Sequence, residues 1–198
     1  MKNSIWKRLF IIFLALSMML VPFCETLTPT AEAATKTAIN KKAKKLYKKQ
    51  INKIAAKGVV YVAYKYADVN GDGITDAMVE YFSGENGSGR HFTIYSYKNG
   101  KLIKLLDEDE YGLQKVIVYK KGIIIYYRGH GHEEYVYFKK TSTGKIRYFA
   151  DKSRMLEDEW GYSHNLTKTA FDKRVKTIKS GSKKTYSVSK WAWKWPQQ

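Results

Sequence analysis

Residues 68–76 read DVNGDGITD and set oxygen-bearing side chains at Asp68, Asn70, Asp72 and Asp76 around a Gly-Asp-Gly. Calcium takes six to eight oxygen ligands, and acidic loops supply them from alternate positions with a glycine at the sharp turn. With Asp68 as position one, Asn70 is three, Asp72 five, Gly73 six, the Ile74 carbonyl seven and Asp76 nine. These are the early positions of the twelve-residue calcium loop; position twelve, where that loop carries a bidentate Glu, is Val79. Asn, Asp and Gly also gather in turns for backbone reasons alone. Three acids and an amide in this register go beyond what a turn requires.

Other candidates are weaker. In GHGHEEY, His130 and His132 stand two apart beside Glu133 and Glu134. On an extended segment the two imidazoles face one way and could share a zinc or copper ion, while a polar glycine-rich turn would explain the same residues. The acidic stretch DEDEYG at 107–112 lacks the glycine spacing of the first loop, and GENGSGRH at 84–91 ends in Arg-His where a phosphate loop has Lys-Ser/Thr. No HExxH and no GxSxG occurs. An enzyme is therefore not the first expectation.

The elements flanking DVNGDGITD change period along the chain. Residues 34–58 place Ile39, Ala43, Leu46, Tyr47, Ile51, Ile54 and Ala55 near helical spacing, with lysines between them and Gly58 as the stop. The apolar stripe is narrow and carries no Trp or Phe, so docking on a sheet is expected over lying on a membrane. From Val59 the period becomes two, and eight β-branched and aromatic runs follow to Ala150, separated by turn signals. Asn99-Gly100 is a two-residue hairpin signal, and connections this short suit antiparallel neighbours. SRMLEDEWG, from Ser153 to Gly161, reads as a short helix, and a second is expected from Thr167. TYSVSKWAWKWP alternates again, as a last strand burying Trp191, Trp193 and Trp195 on the sheet or offering them as an aromatic platform. The fold class is thus mainly β: an antiparallel meander forming a sandwich, partial barrel or propeller-like sheet, with an N-terminal amphipathic helix and small C-terminal helices.

Residues 1–33 have a basic start, an apolar run from Leu9 to Phe23 and a small-residue end at Ala31-Glu32-Ala33. That is the layout of a secretory signal peptide, and the apolar run is short for a spanning helix. The single cysteine, Cys24, lies inside it, so the exported chain would use neither disulfides nor thiol chemistry. Residues 34–58 carry nine lysines and no acid, 59–167 balance fifteen basic against fifteen acidic side chains, and 168–198 set nine basic residues against Asp172 alone. Cationic ends on a balanced core attract polyanions; outside a cell these are anionic wall polymers, membrane surfaces or stray nucleic acid, without a motif specific for the last.

The pattern Y-x-D-x-N-G-D-G-I-x-D followed by an apolar strand resembles the FG-GAP and VCBS-type calcium loops of extracellular proteins, as in small secreted proteins of Gram-positive bacteria, over roughly residues 59–83. The resemblance implies calcium held by the side chains of Asp68, Asn70, Asp72 and Asp76 and the carbonyl of Ile74, with Glu80 as an outlying addition. Only one such loop occurs, whereas a propeller repeats it in each blade. Without the late Glu, affinity should fall near the ~10⁻⁴ to 10⁻³ M of extracellular modules. The expectation is a secreted, noncatalytic, calcium-stabilised domain at 59–198 behind a Lys-rich helix, retained at an anionic cell envelope. The alternative is a small metal-dependent hydrolase centred on His130 and His132.

Overall fold

The computed structural model describes residues 35–83, 89–109, 112–155 and 158–194. The proposed signal peptide, Trp195 and most of GENGSGRH lie outside the described residues. The chain divides into two compact units, 1–41 and 42–198. In the first, residues 35–41 are helical; in the second, helix α1 covers 42–55. Everything below belongs to the second.

Among the described residues eleven strands follow: β1 (Tyr61–Ala67), β2 (Asp76–Ser83), β3 (Gly89–Lys98), β4 (Lys101–Asp109), β5 (Leu113–Val118), β6 (Gly122–Gly129), β7 (His132–Lys140), β8 (Ile146–Met155), β9 (Gly161–Tyr162), β10 (Lys184–Ser187) and β11 (Ala192–Lys194). They form two antiparallel sheets, in the orders β11-β1-β2-β3-β4 and β10-β5-β6-β7-β8-β9. All eight expected runs are strands, and Asn99 and Gly100 have φ of 50° and 81°, as the two-residue turn requires.

The alternation of side chains explains the layering. Ala63, Met78, Phe92, Ile94 and Leu106 from the first sheet meet Val116, Ile123, Ile125, Val136 and Phe138 from the second in one core, so the meander is a β-sandwich. The opposite face of the first sheet, including Val62, Ala77, Val79 and Tyr95, packs against Ala43, Tyr47, Ile51, Ile54 and Ala55 of α1. The helix docks by Ala43, Tyr47, Ile51, Ile54 and Ala55 of the expected stripe, without Leu46, which is half-buried. A second helix, α2 (Lys168–Lys176), starts at Thr167, whose hydroxyl accepts the Ala170 amide, and buries Phe171 and Val175 with Ile178 against Ile117, Ile124, Tyr137 and Ala150. The layers run helix, sheet, sheet, helix.

At Gly122, where β6 begins under the end of α2, a Cβ would stand 2.7 Å from both the Ile178 Cβ and the Phe138 carbonyl oxygen. Backbone cannot yield as a flexible side chain can, so Gly122→Ala should destabilise the protein by about 1–3 kcal/mol. A urea midpoint unchanged from wild type would contradict the close approach.

Two expectations are corrected. Ser153–Met155 do not open a helix; they extend β8, where Arg154 lies opposite Glu133 and Ser153 opposite Glu134 on β7. The Arg154 guanidinium binds the Glu133 carboxylate at 2.9 and 3.1 Å, a tertiary tie that outweighs local helix preference. The C-terminal run is not one strand. β10 pairs with β5, a 3-10 turn at Val188–Lys190 redirects the chain, and β11 pairs with β1 of the other sheet. Trp191 is buried in the core beside Phe92, whereas Trp193 is 43% exposed against Tyr61.

Candidate calcium loop

Residues 68–75 link β1 to β2 in a reversal that ends where Asp76 pairs with Ala67. Gly71 and Gly73 supply the two positive φ angles, 85° and 83°. The loop is organised by its own side-chain oxygens. Gly71 and Gly73 amides donate to the two Asp68 carboxylate oxygens at 2.7 and 3.0 Å, the Asp72 amide to Asn70 Oδ1 at 2.9 Å and the Ile74 amide to Asp72 Oδ1 at 2.7 Å. The Val69 and Asn70 amides donate to Asp76 Oδ2 at 2.8 and 3.1 Å.

Asp76 is the anchor. It is fully buried, and its Oδ1 has no hydrogen bond of normal geometry. Burial pushes its carboxyl up to about 6; the neighbouring Ser96 hydroxyl and the two backbone amides pull the other way, and the charge of Asp72 adds to the rise. Asp72 and Gly71 are exposed, and Asn70 and Asp72 line a cleft of about 450 Å³ shared with Ser96, Lys98 and the hairpin from Thr141 to Lys145. From the side, burial lowers the pKa of half-buried Lys140, and the attraction of Asp68 and Asp76 offsets only part of that fall.

Among the described residues no three His, Cys, Asp or Glu side chains are grouped to hold a metal. A calcium shell here would therefore have to draw on Asn70 Oδ1 and the Ile74 carbonyl as well as on carboxylates. The donor chemistry fits that demand: an ionised carboxylate has about four lone-pair sites, so an oxygen accepting one N–H retains capacity for a cation. Asp76 is the most buried of the loop's carboxylates, and beside the two backbone amides and the Ser96 hydroxyl it keeps lone pairs for a cation. Glu80 does not belong to the loop, since four residues along β2 carry it roughly 13 Å from Asp76. It is buried instead beside the Tyr61 hydroxyl at 3.4 Å and Arg90 at 4.0 Å.

His130 and His132 do not share one extended segment: His132 opens β7, while His130 lies in the turn before it. His130 and Gly131, with φ of 48° and 79°, form the two-residue turn joining β6 to β7, so the two imidazoles lose the common face that extended spacing would give them. Glu133, next in sequence, is engaged by the Tyr126 hydroxyl at 2.8 Å and by Arg154, which hold its carboxyl below the usual range.

Sequence reasoning missed one constellation because it spans three strands. His91 on β3 lies opposite both Tyr81 on β2 and Asp109 on β4. Its Nδ1 meets Asp109 Oδ1, its Nε2 lies 3.5 Å from the Ser83 hydroxyl, and Tyr81 stacks on the ring at 4.7 Å. A Cβ on Gly89 would come 2.0 Å from Ser83 Oγ, so glycine there makes room for the hydroxyl. Nothing in the separate segments around 83, 91 and 109 announces the meeting. The chain matches no family model, no curated protein and no solved structure, which leaves the DVNGDGITD loop and its buried Asp76 as the basis for a functional reading.

Proposed function

We propose that the protein is an exported calcium-binding β-sandwich, stabilised by one ion in the 68–76 loop and retained at anionic polymers of the cell envelope. The observation that carries the calcium reading is the loop itself, in which Asp68, Asn70, Asp72 and Asp76 stand at the spacing of a calcium site and close on a fully buried carboxylate. Asp68, Asn70, Asp72 and Asp76 would hold the ion with the Ile74 carbonyl, leaving further positions for water on the cleft side. Calcium would supply the positive charge that offsets repulsion among Asp68, Asp72 and Asp76.

Calorimetric titration tests this directly. Saturable calcium binding should be lost in Asp72→Ala, and free calcium at ten times Kd should add about 1.4 kcal/mol to stability. Equal melting temperatures in chelator and in excess calcium would remove the structural role.

A hydrolase is a second reading, favoured by the order Ser83–His91–Asp109, with carboxylate on Nδ1 and hydroxyl toward Nε2. Against it, Asp109 is 82% exposed and the Ser83 hydroxyl donates to the Gly89 carbonyl at 3.2 Å. A fluorophosphonate, which captures activated serines, is expected to leave the protein unlabelled. Labelling lost in Ser83→Ala would reverse that assignment.

A further inference from the structure

The two cationic ends of the chain are not equivalent once folded. On α1, burial of Ala43, Tyr47, Ile51, Ile54 and Ala55 fixes which face meets the sheet. At 100° per residue the opposite face carries Lys42, Lys45, Lys49 and Lys53, all exposed, with exposed Lys48 on its flank. The four form a line of roughly 16 Å with steps of about 4.5–6 Å along the axis. No acid occurs anywhere from 34 to 58, so no carboxylate within the helix can pair with them. Lys45 with Lys49, and Lys49 with Lys53, are like charges at i,i+4, which destabilise a helix. The second helix behaves differently: Lys168 binds Asp172 at 2.7 Å across the same spacing. The C-terminal cations are also dispersed, with Lys194 tied to Asn52 and Arg174 to the Phe149 carbonyl.

We propose that the Lys42–Lys45–Lys49–Lys53 face of α1 is the surface that binds the envelope polyanion, and that its partner is a linear phosphodiester polymer without bases. This rests on the retention part of the proposed function and assigns it a site. A self-repelling row of lysines gains most from a partner presenting anions at regular intervals, with counterion release as the driving force. The only aromatic residue from 34 to 58, Tyr47, is fully buried, and there is no arginine, so the face offers neither stacking for bases nor a planar fork for their edges. It likewise exposes no bulky apolar residue to enter a bilayer.

The test is retention of the purified protein on immobilised poly(glycerol phosphate) as a function of salt, beside two quadruple variants of equal net charge. One is Lys42→Gln/Lys45→Gln/Lys49→Gln/Lys53→Gln; the other replaces Lys173, Lys176, Lys183 and Lys184 with Gln. Four phosphate contacts give a log–log salt slope of about −2.8, or roughly fiftyfold weaker binding from 50 to 200 mM salt. The helix variant should lose at least about tenfold in affinity at 50 mM and most of the slope, while the C-terminal variant stays near wild type. Circular dichroism and an unchanged calcium titration would show that the helix variant is folded. Equal losses in both variants would overturn the assignment while leaving envelope retention standing; no binding by wild type would end both. Equal or tighter binding to duplex DNA or to phosphatidylglycerol vesicles through the same lysines would overturn the base-free polymer as partner.

Discussion

Glu80→Gln should make the protein more stable at pH 8 and leave its stability nearly unchanged at pH 4. Glu80 is 2% exposed on the face of β2 that looks into the sandwich, and burial pushes its carboxyl up to about 7 from 4.5, against the pull of Arg90 and the Tyr61 hydroxyl. The folded state therefore holds the proton more tightly than the unfolded one. Below about pH 4.5 both states are protonated and the buried group costs little. Between 4.5 and 7 the unfolded chain releases its proton first, so stability falls as pH rises, and above 7 the full penalty applies. A carboxyl raised to about 7 by burial corresponds to a loss on the order of 3 kcal/mol, of which glutamine, uncharged at every pH, should recover about 1–3 kcal/mol. Urea midpoints of the two proteins at pH 4, 6 and 8 should diverge across that window. Parallel midpoints would mean that Arg90 neutralises Glu80 fully.

Tyr47→Ala should cost about 3–5 kcal/mol, the range for emptying a buried aromatic site. Tyr47 is fully buried between α1 and the first sheet, with its ring 6.0 Å from that of Tyr66. Its hydroxyl donates to the Thr75 carbonyl at 2.8 Å, one residue before Asp76. Burial and the nearby charges of Asp76 and Asp72 raise its pKa, so the phenol remains a donor throughout the useful pH range. Tyr47→Phe separates packing from this hydrogen bond. It should cost only about 1 kcal/mol and weaken calcium binding by a few-fold, because the helix then no longer holds the loop backbone. If calorimetry finds the same calcium affinity in Tyr47→Phe, the helix and the loop are not coupled.

Much of the fold was legible because each strand from 59 to 150 has alternating residues that must face either the shared core or a covering helix, and because turns such as Asn99-Gly100 need particular residue types. The division into two sheets was not legible. Alternation tells which side chains share a face but not which strand lies alongside, and nothing local tells β10 and β11 to join different sheets. SRMLEDEWG misled because its local preference is overruled by Arg154 reaching Glu133, 21 residues earlier. At the loop, spacing identified the oxygens, but the burial of Asp76 and the approach of Lys140 depend on distant strands. The histidines left two arrangements open, and the glycines on either side of His130 settle them in favour of the tight turn over the extended segment.

The path of residues 184–194 has a consequence for the order of assembly. Because β10 borders β5 in one sheet and β11 borders β1 in the other, this segment stitches the two layers together and covers an edge strand of each. A chain that emerges N-terminus first can build both meanders yet leaves the β1 and β5 edges bare, and bare edges invite pairing with other chains. Closure waits for residues 184–194, so the interval before they dock is when both edges are open to aggregation and to proteolysis.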